Sequence, residues 1–444
     1  MLKQQAWYNY QSALYTEFLQ SRDEGKPAEE LNRLHLEAEK LGLHEGYTAQ
    51  EDAAVGRLLD QMEALPAAPA QEPSSYELIQ QLQTNTRLFP APFDHQKIED
   101  KIHGAWMGRI AGCILGKPIE GWHKDRIRTL AHAGQNPLID RYLEAVDCGQ
   151  PGLDTPSLAG RCFAGQLHGF APEDDDTNYT VLALKLLESY GRDFTALDVA
   201  ECWLSNFPIL HLCTAELAAY RNLVNHILPP DSASYRNPYR EWIGAQIRGD
   251  LFGYINPGDP KAAAEMAFRD ACVTHTRNGI YGEMFAAAMI ARAAVSDDVT
   301  DILETGCAAI PHTSRLHQSI RQVLTWGKDG LSFDSMMEKL YDRYDIGSCH
   351  DAVHTIPNAM IVAAALLRGE GDFSKTLGLS VSGGMDTDCN GATVGSVVGM
   401  MTGGSNVPAH WMDPFNDTLQ TGVAGFAQIS ISELAARTAR LVLR

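Results

Sequence analysis

Gly104-Ala105-Trp106-Met107-Gly108-Arg109-Ile110-Ala111-Gly112-Cys113-Ile114-Leu115-Gly116 is the stretch that decides how this chain folds. Its glycines recur every four residues, and the spacing returns in Gly391, Gly395, Gly399 and Gly403. Residues four apart in an α-helix share one face, so each set forms a bare stripe. A glycine inside a helix costs about 1 kcal/mol relative to alanine. Close approach of a second helix is the usual compensation. The two stripes are therefore expected to pack together in the core. In a long apolar helix such spacing would suggest membrane dimerisation, but Arg109 and Lys117 argue against that here.

Working outward, acidic residues stand beside the stripes. Asp386-Thr387-Asp388, preceded by Gly383-Gly384-Met385, opens the second one. About two hundred residues earlier, Asp174-Asp175-Asp176-Thr177 opens another helix-like run. Glu120 follows the first stripe in Gly116-Lys117-Pro118-Ile119-Glu120-Gly121, where proline and glycine mark a helix exit. Crowded carboxylates repel one another unless a cation compensates, and oxygen-only ligand sets suit Mg²⁺, Mn²⁺ or Ca²⁺. If the fold joins the clusters, Asp174, Asp175, Asp176, Asp386 and Asp388 form a carboxylate metal site able to hold a pair of ions. Helix capping is the competing explanation for one or two of Asp174 to Asp176.

The chain has 444 residues, 45% of them hydrophobic and 21% charged, which suits a large globular domain with a smaller companion. A net charge of −20 repels nucleic acid, so no strong nucleic-acid-binding surface is expected. Its longest apolar stretches are broken by charge or glycine, which excludes a membrane span. Met1 to Gln5 lacks the apolar core of a signal peptide. Nine cysteines without a C-x-x-C pair fit a reducing cytoplasm rather than a zinc ribbon. Helical periodicity covers residues 1–65, including Leu31, Leu34, Ala38 and Leu41, then Val55, Leu58, Leu59 and Met62. Residues 66–75 read as a Pro- and Ala-rich linker. Further helical runs are expected at 98–116, 177–190, 195–205, 261–272, 281–295, 316–326, 354–368 and 391–402, with 229–260 mostly loop. The division is a helical extension and linker over 1–95 and a nearly all-α domain over 96–444.

Three segments of the larger domain resemble the ADP-ribosylglycohydrolase family: Gly104–Gly116 its opening glycine-rich helix, Asp175-Asp176-Thr177 its T-D-D-T motif, and Gly383–Asp388 its G-G-D-T-D segment. The resemblance implies a compact orthogonal all-α bundle. It implies two divalent ions, Mg²⁺ or Mn²⁺, in a central cleft. It also implies metal-assisted hydrolysis of the glycosidic bond at the anomeric carbon of ADP-ribose attached to a protein, nucleic acid or small molecule. Asp175, Asp176 and Asp388 are then catalytic as well as ligating, and Glu120 orients water or acts as acid/base. Three departures stand out. Asp174 replaces the usual Thr, Cys389 follows D-x-D where Thr or Ser is usual, and Cys113 replaces a common Asp. A thiol is a poor Mg²⁺ ligand, which leaves room for weaker binding or for Asp174 as a substitute donor.

The same resemblance nominates substrate contacts in the middle of the domain. Gln246, Arg248, Gly253 and Tyr254 fall where the family has a glycine-rich loop near ribose and diphosphate, with Arg248 as phosphate partner and Tyr254 as stacking ring. His275, Asn278, Gly279 and Tyr281 belong to a T-H segment whose histidine faces the ligand. Gly383, Gly384 and Met385 complete the set. Cys349-His350 and His354–Asn358 are weaker candidates for the same cleft. Two other functions are open: hydrolysis of a small N-riboside such as a nucleoside, and weak catalysis with ADP-ribose binding alone.

Overall fold

The computed structural model describes residues 10–42, 49–67, 71–146 and 162–443. Met1 to Gln5 and the centre of the expected linker, residues 68–70, lie outside them. The fold is all-α, and among the described residues it has two three-residue strands, Thr418–Gln420 and Gln428–Ser430, paired antiparallel. Each helical run expected in the large domain forms: Ile98–Gly116, Asp175–Tyr190, Ala196–Asn206, Pro260–Ala271, Arg277–Ala293, Arg315–Lys328, Thr355–Gly369 and Thr387–Thr402. Among the described residues no helix is long and apolar enough to cross a membrane.

The two glycine stripes meet. A Cβ built on Gly108 would lie 2.0 Å from the carbonyl oxygen of Gly395, and one on Gly112 would lie 1.9 Å from that of Gly391. Gly104 faces Gly399, and Gly116 faces Thr387, so the helices run antiparallel in backbone contact. Any side chain on the stripe would force them apart. This antiparallel register sets the C-terminal end of the first glycine helix, Ile98–Gly116, beside the N-terminal end of the second, Thr387–Thr402. The Thr387 hydroxyl donates to the Gly116 carbonyl at 2.8 Å and closes the joint.

N-terminal helices Tyr10–Asp23, Ala28–Glu39 and Ala49–Glu63 pack around a small core of their own, which contains Leu14, Leu31, Leu34, Val55, Leu58, Leu59 and Met62. They dock on the large domain through buried charge. Arg240 pairs with Glu17 at 2.6 Å and Glu24 at 2.8 Å, and Gln20 donates to Glu241 at 2.9 Å. Residues 71–88 do not behave as a free linker. Glu72 forms an ion pair with Arg315, Tyr281 donates to the Pro73 carbonyl, and Ile79 and Leu88 are buried in the main core.

The segment 229–260 is mostly irregular, as expected, but much of it is buried rather than exposed. Trp242 to Ile255 is almost entirely buried and carries the short helix Asp250–Tyr254. Its glycines are there for contact: a Cβ on Gly249 would lie 2.6 Å from the Glu283 carbonyl of helix Arg277–Ala293. Periodicity could not show this, because an irregular segment buries itself without a repeating apolar pattern.

Candidate metal centre and active site

The glycine contact is what joins the two acid clusters. Beyond Gly116 the chain turns through a 3₁₀ segment, Lys117–Ile119, and presents Glu120. The next residues hold the Gly383–Asp386 loop: Gly121 N donates to the Met385 carbonyl at 2.9 Å, and Met385 N to the Trp122 carbonyl at 3.3 Å. Gly384 and Met385 both have positive φ, +80° and +61°, and bend the loop into the second glycine helix. Asn358 braces that helix, because its Oδ1 accepts from Asp386 N at 3.2 Å and from Asn390 Nδ2 at 2.8 Å.

On the opposite wall, Asp174 is the N-cap of helix Asp175–Tyr190 and accepts from Asp176 N at 3.0 Å. Its other oxygen lies 2.6 Å from Lys117 Nζ, which also donates to the Glu173 carbonyl. Capping and ligation were alternatives for this residue, and the structure shows it capping and ion-paired. Arg109, fully buried, donates to the Asp176 carbonyl at 2.6 Å and lies 3.3 Å from its carboxylate and 2.9 Å from that of Asp250. A charged residue inside the glycine stripe was the sequence signal for this clamp, and so was Lys117 for its partner.

The acids of the two clusters and Glu120 act on one another electrostatically. Burial first, then the charges of Glu120, Asp386, Asp174 and Asp176, push Asp388 well above the usual carboxylate range. Burial, Asp174, Glu120 and Asp386 do the same to Asp175. Burial lifts Asp176 too, although Arg109 opposes it. Asp174 differs: burial pushes its carboxyl up, but the Lys117 ammonium, the Asp176 N–H and the Cys113 thiol hold it at about 2. Two oxygens, Asp176 Oδ2 and Asp388 Oδ1, are buried without a hydrogen-bond partner. A buried unpaired oxygen is costly, and a cation bound beside each would offset that cost. The site therefore fits a divalent ion. Its donors are not all oxygen, however. Potential ligand atoms cluster as Cys113, Asp174 and Asp176, and as Asp386, Asp388 and Cys389, each set within 4.8 Å.

A third cluster, Asp23, His350 and His354, does not suit a metal. Trp242 Nε1 donates to His350 Nδ1 at 3.0 Å, and Ile356 N donates to His354 Nδ1 at 3.1 Å. Both rings therefore carry their proton on Nε2. His350 uses it toward Asp23 at 3.1 Å, which fastens the N-terminal helices to the site's flank.

Several nominated substrate contacts lie elsewhere. Arg248 is 1% exposed and is enclosed by Glu216 at 2.6 Å, Asp270 at 2.9 Å and Glu283 at 3.4 Å, so its donors are committed inside the core and do not face a diphosphate. Tyr254 is no stacking platform. It is fully buried between the glycine helices, with its hydroxyl 2.7 Å from Ser396 Oγ. Gly253 packs on Ile290, Gly279 on the Arg240 carbonyl, and Tyr281 on Pro73. Asn278 bridges Glu241 and Leu316 N. Gln246 and His275 are buried too, with the Gln246 amide and His275 Nε2 unpartnered. Family position alone suggested these eight residues, and tertiary packing turned them inward. Gly383, Gly384 and Met385 do reach the site, as the backbone loop that delivers Asp386.

No curated protein matches the chain. A solved structure described as an ADP-ribosylglycohydrolase-related protein complex shares its fold, with a TM-score of 0.50 and 20% identity over 78% of this chain and 99% of that one. The family model for ADP-ribosylglycohydrolase matches residues 94–442, which include both glycine helices and both acid clusters. On that match the chain belongs to the ADP-ribosylglycohydrolase family.

Proposed function

We propose that this protein is a divalent-metal-dependent hydrolase that cleaves the glycosidic bond at the anomeric carbon of ADP-ribose attached to a protein, nucleic acid or small molecule. The observation that supports the reading is that two groups of potential ligand atoms, Cys113/Asp174/Asp176 and Asp386/Asp388/Cys389, stand at the starts of two helices joined through the first glycine helix. Asp175, Asp176, Asp386 and Asp388 are the ligands for the ions, expected as a pair. A bound divalent ion supplies Lewis acidity and a fixed charge that anchors sugar hydroxyls.

The chain's own groups do the remainder. Glu120 is exposed and within electrostatic reach of Asp388 and Asp175. It takes the proton of the attacking water or hands one to the leaving group. Cleavage at an anomeric carbon passes through an oxocarbenium-like transition state. The surrounding carboxylates stabilise its positive charge, and their backbone is held before substrate arrives by Arg109, Asn358 and the glycine contact.

A second reading, hydrolysis of small N-ribosides, is favoured by one observation: Arg248 and Tyr254, the nominated diphosphate and ring contacts, are buried. One assay separates the two. Arg-, Ser- and nucleic-acid-linked ADP-ribose and a nucleoside panel are incubated with protein and metal, and free ADP-ribose or base is measured. Release of ADP-ribose that disappears in Glu120→Gln supports the proposal. Turnover of nucleosides alone overturns it in favour of the second reading.

A further inference from the structure

We propose that the Asp386, Asp388 and Cys389 half-site takes one thiophilic divalent ion, of the Zn²⁺ or Co²⁺ kind, in preference to Mg²⁺. The inference rests on the reading of the acid cluster as a metal centre and names the ion that this chain's own residues select.

Three donors are present in this half-site: two carboxylate oxygens and one sulfur, within 4.8 Å of one another. Three protein ligands with a fourth position open is the arrangement of catalytic zinc sites. Mg²⁺ demands near-octahedral oxygen coordination, and here the residue after D-x-D offers sulfur. Thiolate ligands select Zn²⁺ and its neighbours over hard ions. The sulfur belongs to the same group: Cys389 is buried at the third position of the second glycine helix, with its Sγ within 4.8 Å of a carboxylate oxygen of Asp386 and of Asp388. Beside it, Asp388 Oδ1 is buried and has no hydrogen-bond partner among the described residues.

The helix around these donors is fixed from two sides. Thr387 is tied to Gly116 and Asn390 to Asn358. The helix that carries the donors is therefore held before an ion arrives, and the Cys389 proton leaves to solvent as sulfur binds. The other half-site is different. Lys117 already sits 2.6 Å from the Asp174 carboxylate, and Arg109 lies 3.3 Å from that of Asp176. These two side-chain cations partly neutralise the first half-site, whereas Asp386 and Asp388 have no cationic side chain in ion-pair contact among the described residues. Preference for an ion therefore concentrates at the cysteine-bearing start of the second glycine helix.

The test uses full-length protein stripped of metal and titrated with Co²⁺, Zn²⁺ and Mg²⁺, followed by calorimetry and absorption. One equivalent of Co²⁺ should produce an intense thiolate-to-cobalt charge-transfer band. The band should vanish in Cys389→Ser and persist in Cys113→Ser. Cys389→Ser should also weaken Zn²⁺ binding at least about tenfold while leaving Mg²⁺ binding no weaker. Co²⁺ binding that is abolished by Asp388→Asn yet shows no charge-transfer band overturns this proposal and leaves the metal centre standing. Failure of Co²⁺, Zn²⁺, Mn²⁺ and Mg²⁺ alike to bind overturns both. Circular dichroism of each variant confirms that lost binding is not lost folding.

Discussion

Gly395→Ala isolates the contact on which the site depends. On helix propensity alone the change should stabilise, by about 1 kcal/mol. The structure predicts the opposite sign. The new Cβ would lie 2.0 Å from the Gly108 carbonyl oxygen and 2.5 Å from its carbon, both rigid backbone. Ordinary contact begins at 3.4 Å, so the helices must separate by about 1.4 Å. Overpacking of this kind costs about 1–3 kcal/mol, and backbone on both sides puts it at the upper end. After the propensity gain, a net loss of about 2 kcal/mol remains, visible in a chain of 444 residues as a melting temperature about 2 °C lower. Separation also carries Asp388 away from Asp176, so divalent-ion affinity should fall with stability. Gly165→Ala, which meets no atom within 4 Å, is the control and should leave affinity unchanged. Scanning calorimetry with and without metal reads both effects. If Gly395→Ala melts at or above the parent and binds metal normally, the stripes do not hold the site together.

Three further outcomes follow from the charges. Asp388→Asn should abolish divalent-ion binding yet raise the melting temperature of metal-free protein, because it relieves repulsion among buried carboxylates; a lower metal-free melting temperature would count against the crowding argument. Arg248→Leu should destabilise by roughly 3–5 kcal/mol, since it strands Glu216, Asp270 and Glu283 in the core; a folded, stable variant defective only in ADP-ribose binding would restore the diphosphate role. The third outcome concerns pH. Raised native pKa values at Asp175, Asp176 and Asp388 mean that the metal-free native state binds more protons than the unfolded chain. Their contribution to stability is therefore full below the ordinary carboxylate range near pH ~4 and is lost as pH rises through the native values. A bound cation holds the ionised form instead. The melting-temperature gain on adding metal should thus increase as pH rises above the ordinary carboxylate range near pH ~4, and a flat gain would refute the assignment.

The sequence by itself determined the fold class and the helix pairing, and it marked the acidic segments at two helix starts. Each rests on a local rule that survives folding. Glycine every fourth residue can only make a bare helical stripe, and a bare stripe demands a close partner. Carboxylates at two helix starts can sit together only with compensation. Tertiary structure alone decided which side chains compensate and which face the cleft. Arg109 and Lys117 looked like residues that merely excluded a membrane span, and they prove to clamp Asp176 and Asp174. Arg248 looked like a phosphate ligand, and three carboxylates from three separate helices claim it instead. Direction is the physical reason. Spacing along a chain fixes which residues share an element's face, whereas a side chain's partner is set by elements distant in sequence. Burial then gives each charge to the nearest opposite charge that can satisfy it.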